Sequence, residues 1–288
     1  MLRYAACALF CVIAARPAAA AESGAAGLLA KAVAAFEHNL ENETHWNWTS
    51  TETRAVADKA GKVLQRFPSV TSESVILGNG RRCNAVTSWG DHHEPYLKDA
   101  APEDRCQAYN AIGTPFQVAL LLKSTNARVT ARSAEAITIA VSPDKSRQKN
   151  PEYSVRCAAS IEAEIQLDPA TSFPLSIEGR VVDSGCNGDF VPVMHDTPIT
   201  RGPMSSNFRK GARFHVTYAL QKDRFDNPAN AFWISKEQHY DQPLEQDAGV
   251  LYFWGRQFPI RTIDGHRLIK DVSTTAQEFG AGSQLTFK

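Results

Sequence analysis

The sequence has no excess of either charge: 31 Lys and Arg stand against 31 Asp and Glu in 288 residues. A chain so balanced has no global field for gripping nucleic acid or an acidic membrane surface. It has no Gly-x-Ser-x-Gly elbow and no glycine loop for cradling phosphate, which removes the two most readable catalytic signatures. The apolar run that opens it, Tyr4 to Ala15, falls short of the ~20 residues a spanning helix needs. No membrane span and no cofactor are therefore expected.

What that opening does contain is an export signal. Arg3 supplies the positive start, Tyr4 to Ala15 the apolar stretch, Arg16-Pro17 a break, and Ala18-Ala19-Ala20-Ala21 the small residues a signal peptidase reads. Met1 to Ala21 is thus expected to be cleaved, leaving 22–288 as one β-rich domain. Cleavage removes Arg3 and Arg16 and no acid, so 29 bases remain against 31 acids, a net charge near −2. Cys7 and Cys11 leave with the signal and lie away from the cleavage point, so they offer no site for a lipid.

Four cysteines then remain, Cys83, Cys106, Cys157 and Cys186. An even number in an exported chain reads as two disulfides, with three possible pairings. Cys83–Cys106 and Cys157–Cys186 are favoured because each closes a modest loop. Their spacing contains no close pair of the kind that holds structural zinc.

Hydrophobic periodicity divides the mature chain. Leu28, Leu29, Ala32, Val33, Phe36 and Leu40 recur at helical spacing within 24–42. From Trp46 onward the period shifts to two. Asp58-Lys59-Ala60-Gly61 turns into a second long strand, and Gly78-Asn79-Gly80 precedes another, Arg81 to Trp89. Residues 91–105 read as a charged loop. A second helix is expected from a Thr114 cap and Pro115 through Leu122, apolar nearly all round.

The clearest alternation puts Val155, Cys157, Ala159, Ile161, Ala163, Ile165 and Leu167 on one face. The chain turns at Asp168-Pro169-Ala170-Thr171, and Phe173, Leu175, Ile177 and Val181 repeat the pattern. Pairing these strands across the turn brings Cys157 near Cys186. Further strands at 212–221, 231–240, 250–254 and beyond Arg261 complete a strand-rich second half. Amphipathic strands with two apolar helices predict a mainly β (α+β) fold: a strongly curved antiparallel sheet, or unclosed β-barrel, with covering helices.

Chemistry-bearing residues are sparse. Ser146-Arg147-Gln148-Lys149 has the Ser-x-x-Lys spacing of penicillin-recognising enzymes, but it lies in a polar stretch, 142–151, that reads as a loop. His92 and His93, between Asp91 and Glu94, are the best metal candidates. Adjacent residues rarely aim at one ion, so a distant partner such as His195, His215 or His239 would be needed. Trp46 and Trp48 share one strand face, which suits either core packing or the lining of an apolar cavity.

The order of elements resembles a known group. A short helix at 26–42, the strand Trp46-Asn47-Trp48-Thr49, the turn Asp58-Lys59-Ala60-Gly61-Lys62, and the hairpin at 158–182 with its acidic turn are similar to the periplasmic outer-membrane lipoprotein carriers, the LolA-like family. The resemblance implies an incomplete β-barrel whose helices plug an apolar concave side where acyl chains bind. Four cysteines and a longer chain depart from the carriers themselves. On this basis the expected role is a soluble exported envelope protein that binds a lipid or other apolar molecule near Trp46, Trp48, Leu120 and Leu121. The alternatives are a secreted hydrolase with a dispersed, metal-assisted site and a non-catalytic envelope interaction module.

Overall fold

The computed structural model describes residues 18–42, 46–76, 82–90, 106–108, 118–186, 209–222, 225, 227, 231–244, 250–253, 256–262 and 266–278. Helix α1 spans Ala18–Asn42. Strands β1 (Trp46–Ala57), β2 (Val63–Arg66), β3 (Val70–Ile76), β4 (Arg82–Trp89) and β5 (Cys106–Ala108) follow. After them come α2 (Val118–Ser124), β6 (Asn126–Arg132), β7 (Ile137–Ser142), α3 (Tyr153–Ala158), β8 (Ile161–Leu167) and β9 (Pro174–Val181). After Cys186 the described elements are strands: β10 (Arg213–Gln221), β11 (Phe232–Pro243), β12 (Val250–Phe253), β13 (Arg256–Pro259) and β14 (Arg267–Glu278).

Twelve strands make one antiparallel sheet in the order β5-β4-β3-β1-β14-β11-β10-β9-β8-β7-β6, with β2 branching from β1; β12 and β13 form a separate hairpin. The sheet is not closed: β5 and β6 end the path. Register shifts within the β1–β2, β3–β4, β6–β7, β8–β9 and β10–β11 pairs add local twist and bend the sheet. This is the unclosed, helix-covered sheet that the alternation implies.

The predicted hairpin is present. Along β8 burial alternates residue by residue, and Ile161 pairs with Val181 at one end and Leu167 with Pro174 at the other. Asp168 organises the turn, its Oδ1 accepting from the backbone N–H groups of Ala170 (2.8 Å) and Thr171 (2.7 Å). Two glycines are required by close approach. A Cβ on Gly179 would lie 2.6 Å from the Phe214 ring, and one on Gly185 would lie 2.0 Å from Ser160 Oγ.

Three expectations need correction. Val155 to Ala159 were placed in the strand, but Tyr153–Ala158 is helical, and the strand begins only at Ile161. The alternating pattern persists by coincidence through this turn of helix, whose buried residues include Cys157 and Ala158. The expected second long strand is divided into β2 and β3, because Pro68 lacks the N–H that continued pairing needs. Strand β6 was missed. Its sequence Asn-Ala-Arg-Val-Thr-Ala-Arg is largely exposed, as suits the charged edge of a sheet.

Cys157 and Cys186 form the expected disulfide, tying α3 to the 3-10 turn Ser184–Cys186 that follows β9. It closes a loop with a sequence separation of 29. Replacing both cysteines by serine should cost roughly 3–4 kcal/mol by chain entropy, read as a lower urea midpoint with a higher m-value, since the unfolded chain without the crosslink is more expanded. In the other proposed pair, β4 and β5 run antiparallel with Cys83 opposite Ala108 and Cys106 opposite Ala85. The side chains of Cys83 and Cys106 lie outside the described residues.

The main core lies between the sheet from β7 to β11 and the helices. Ala32 and Phe36 of α1 and Val118 and Leu121 of α2 meet Ile139, Ile161, Ile165, Leu167, Ile177 and Phe214. Phe173 is its hub, stacked on Phe36 at 5.8 Å and on Trp233 at 4.9 Å, with its edge to Tyr218 at 5.8 Å. Lys123 of α2 and Glu37 of α1 pair across the two helices at 2.5 Å.

Candidate ligand-binding site

The sheet parts at one place. β14 runs beside β1 all the way to Trp46↔Glu278, but it pairs with β11 only between Glu237 and Pro243. Beyond Glu237 the two strands separate, and the register of β11 on β10 shifts at the same point. Trp233 then joins the main core, while Phe232 and Ile234, on the other face of β11, pack against Trp46 and Trp48 with Ala276 of β14. Trp46 stacks on Phe232 at 6.3 Å.

Asn39 of α1 closes the backbone gap. Its Nδ2 donates to the Trp233 carbonyl (2.9 Å), and its Oδ1 accepts from the Trp233 N–H (2.6 Å). The amide thus replaces a neighbouring strand for one residue of β11 and satisfies a donor and an acceptor that would be costly to bury alone. Asn39 is buried, although its element order gave no hint of it. A signal was there: Asn39 continues the buried Ala32, Phe36 spacing, and a polar residue on a helix's apolar stripe calls for a partner.

Trp46 and Trp48 share a face of β1 with Ser50, Glu52, Arg54 and Val56, since residues two apart point the same way. Across β14 that face continues through Lys270, opposite Arg54, and Val272, opposite Glu52. On β11 Tyr240 lies opposite Lys270 and Gln238 opposite Val272. Glu52 is the centre of an ion triad, its Oε1 accepting from Arg54 Nε at 2.7 Å and Lys270 Nζ at 3.3 Å. The Lys270 ammonium also stands 5.5 Å from the centre of the Tyr240 ring. Between the triad and the tryptophans, buried Ser72 and Thr274 flank Ser50, with Ser50 Oγ and Thr274 Oγ1 3.1 Å apart, and Ser74 Oγ accepts from the Trp48 N–H at 3.0 Å.

The inner face is therefore amphipathic rather than uniformly apolar. An aromatic cluster sits where the strands part, and a second apolar group, Val56, Phe67 and Leu268 with Phe258 of the β12–β13 hairpin, sits at the other end. Between them runs the polar, charged band. Burial pulls the Lys270 ammonium below its usual pKa, while the Glu52 carboxylate acts in the opposite direction.

Burial raises the phenols of Tyr218 and Tyr240 well above their ordinary range, and for Tyr240 the neighbouring Tyr218 and Glu52 add to it. An unfolded phenol titrates near pH 10. Above that pH the unfolded chain sheds two protons that the native one keeps, so stability falls as pH rises. The slope should be about 2.7 kcal/mol per pH unit, flattening by half in either Tyr218→Phe or Tyr240→Phe. Lys270, with its lowered native pKa, works the other way: stability rises with pH between its native value and its ordinary one. Urea titrations at pH 9 to 11 measure the balance.

The sequence-predicted residues fare differently. Trp46 and Trp48 are brought together, each 3 % exposed. Leu120 and Leu121 of α2 belong instead to the main core, Leu121 fully buried and Leu120 partly so. His92, His93 and His195 lie outside the described residues, as does Thr114. His215 and His239 face each other across β10 and β11 on the outer side of the sheet, and His239 Nδ1 bonds to Asp271 Oδ1 at 2.6 Å. Among the described residues no three His, Cys, Asp or Glu side chains converge to hold a metal. Ser146 is exposed, its hydroxyl donating to Asp144 at 2.6 Å, with only a short 3-10 turn at Arg147–Lys149. That is no buried helix start for a Ser-x-x-Lys nucleophile.

These elements define an open antiparallel sheet with helices on its concave side. No family model matches the chain, and no curated protein does. It is similar to a solved DUF1329-family protein from Desulfovibrio piger, at 8% identity over 90% of this chain and 97% of that one, with a TM-score of 0.33. It is also similar to the LolA superfamily protein NE2245 from Nitrosomonas europaea, at 8% identity over 92% and 97%, TM-score 0.32. A third similarity is to the Pseudomonas aeruginosa MucA/MucB complex structure, at 11% identity over 87% and 99%, TM-score 0.24. The remote LolA-like likeness expected from the order of elements is thus present among solved structures. No described helix is long and apolar enough to cross a membrane.

Proposed function

We propose that the protein is exported, is cleaved after the alanine run, and holds an apolar ligand, a lipid or acyl chain, on the concave side of its sheet without transforming it. The observation that carries this reading is the aromatic cluster of Trp46, Trp48, Phe232 and Ile234, placed where β11 and β14 part. Beyond Glu237 β11 and β14 are no longer paired, and at Trp233 the Asn39 amide meets the β11 backbone in place of a neighbouring strand, which leaves room for a chain-like apolar ligand between the two strands. The alanine-rich leader and the Cys157–Cys186 disulfide support export to an oxidising compartment.

Native mass spectrometry of protein purified from its own host's envelope fraction tests this reading. The expected result is a mature chain starting near Glu22 that carries a co-purifying lipid of defined mass. A ligand-free mature chain that also takes up no fluorescent fatty acid would overturn it.

A further inference from the structure

On the outer face of the sheet one row of side chains differs from its neighbours. Glu178 of β9 lies opposite His215 of β10, His215 opposite His239 of β11, and His239 opposite Asp271 of β14. The row reads carboxylate, imidazole, imidazole, carboxylate across four adjacent strands, and all four residues are exposed. Directly opposed side chains of an antiparallel pair have Cβ atoms roughly 5 Å apart. Two imidazoles at that separation gain little from each other, and they repel when both are protonated. A divalent ion between them, with metal–nitrogen bonds of about 2 Å, turns the pair into a chelate.

Asp271 prepares one of the two ligands. His239 Nδ1 lies 2.6 Å from Asp271 Oδ1, and an ionised carboxylate only accepts, so the Nδ1 proton points at it and the free lone pair is on Nε2. Carboxylates orient metal-binding imidazoles in this way. His215 makes no hydrogen bond or ion pair with the described residues, so its ring is available to the same ion. Glu178 and Asp271 bring two negative charges, the complement of a divalent cation. In the next row along the strands, Arg180, Arg213 and Asp241, the two end members are already paired, with Glu162 and Arg267.

We infer that His215 and His239 chelate one imidazole-seeking divalent ion, copper(II) or zinc, on the outer face of β10 and β11. No group of three metal-ligating side chains converges among the described residues, so the two imidazoles hold the ion and water completes its shell. His239 is two residues from Glu237, where β11 parts from β14, and the ion braces the strands beside that opening. The inference is independent of the apolar-ligand reading.

Equilibrium dialysis of the mature protein at neutral pH against copper(II), zinc and magnesium tests it. Copper(II), and more weakly zinc, should bind at one ion per chain, and magnesium should not, the order that imidazole ligands impose. His215→Ala and His239→Ala should each abolish this binding, and Asp271→Asn should weaken it roughly tenfold at unchanged stoichiometry. His92→Ala/His93→Ala should leave it intact. Saturating ion should also raise the melting temperature of the wild type and of neither single histidine variant, because an ion held only by the folded pair stabilises the fold. Absence of stoichiometric binding by the wild type overturns the inference. So does binding that survives both single variants, and its loss in His92→Ala/His93→Ala would then place the ion at those histidines instead.

Discussion

Replacing Phe173 by alanine should lower stability by about 3–5 kcal/mol, the cost of removing a large fully packed aromatic from a core that cannot collapse around the gap. Phe173 is 2 % exposed and touches three rings from three elements: Phe36 on α1, Tyr218 on β10 and Trp233 on β11. It also follows directly on Ser172, whose φ of 61° places a non-glycine residue in the left-handed region to close the β8–β9 turn. The ring thus joins a local turn to the docking of α1. Guanidinium titration of the alanine and leucine variants reads the effect, with leucine expected to lose much less. A loss under about 1 kcal/mol in Phe173→Ala would mean that α1 is held by something other than this stack.

The second large effect concerns the triad. Glu52→Gln leaves Arg54 and Lys270 facing each other without their shared carboxylate, and removing one member of a buried ionic group costs about 3–5 kcal/mol. The combined replacement Glu52→Leu, Arg54→Met, Lys270→Met should be close to neutral, because it removes the desolvation cost along with the attraction. The contrast is what matters. If the triple variant is as unstable as Glu52→Gln, the triad is holding β1 and β14 together; if it is not, the triad adds little net stability to the fold.

Much of the fold was legible because long amphipathic strands advertise themselves. β8 and β9 alternate cleanly around an Asp-Pro turn, so their pairing, and with it the Cys157–Cys186 bridge, could be read directly. Reading failed where two periods overlap over a few residues. Val155 to Ala159 satisfy alternation and one helical turn equally, and the helix is the form adopted, with Cys157 and Ala158 buried. β6 was invisible because an edge strand has little to bury.

The site was only half legible. Two tryptophans spaced two apart announce a shared strand face, yet nothing near them in sequence tells that Phe232 and Ile234 will meet them. Glu52 and Lys270 each look like ordinary strand polars. Their burial depends on pairing residues more than 200 positions apart, a non-local register that no local pattern encodes. Leu120 and Leu121, expected near an apolar cavity along with the tryptophans, lie in the main core with α1.

The most direct test of the central claim, that an apolar ligand lies against Trp46 and Trp48, is quenching of tryptophan fluorescence by a brominated fatty acid. Trp46 and Trp48 sit where the strands part, whereas Trp233 turns to the other face of β11 and packs on the main core. Saturating ligand should quench the wild type strongly, and Trp46→Phe/Trp48→Phe, at ligand concentrations that saturate the variant, should abolish most of that quenching while keeping the fold. Quenching that is absent in the wild type, or undiminished in the double variant, would place the ligand elsewhere and contradict the account.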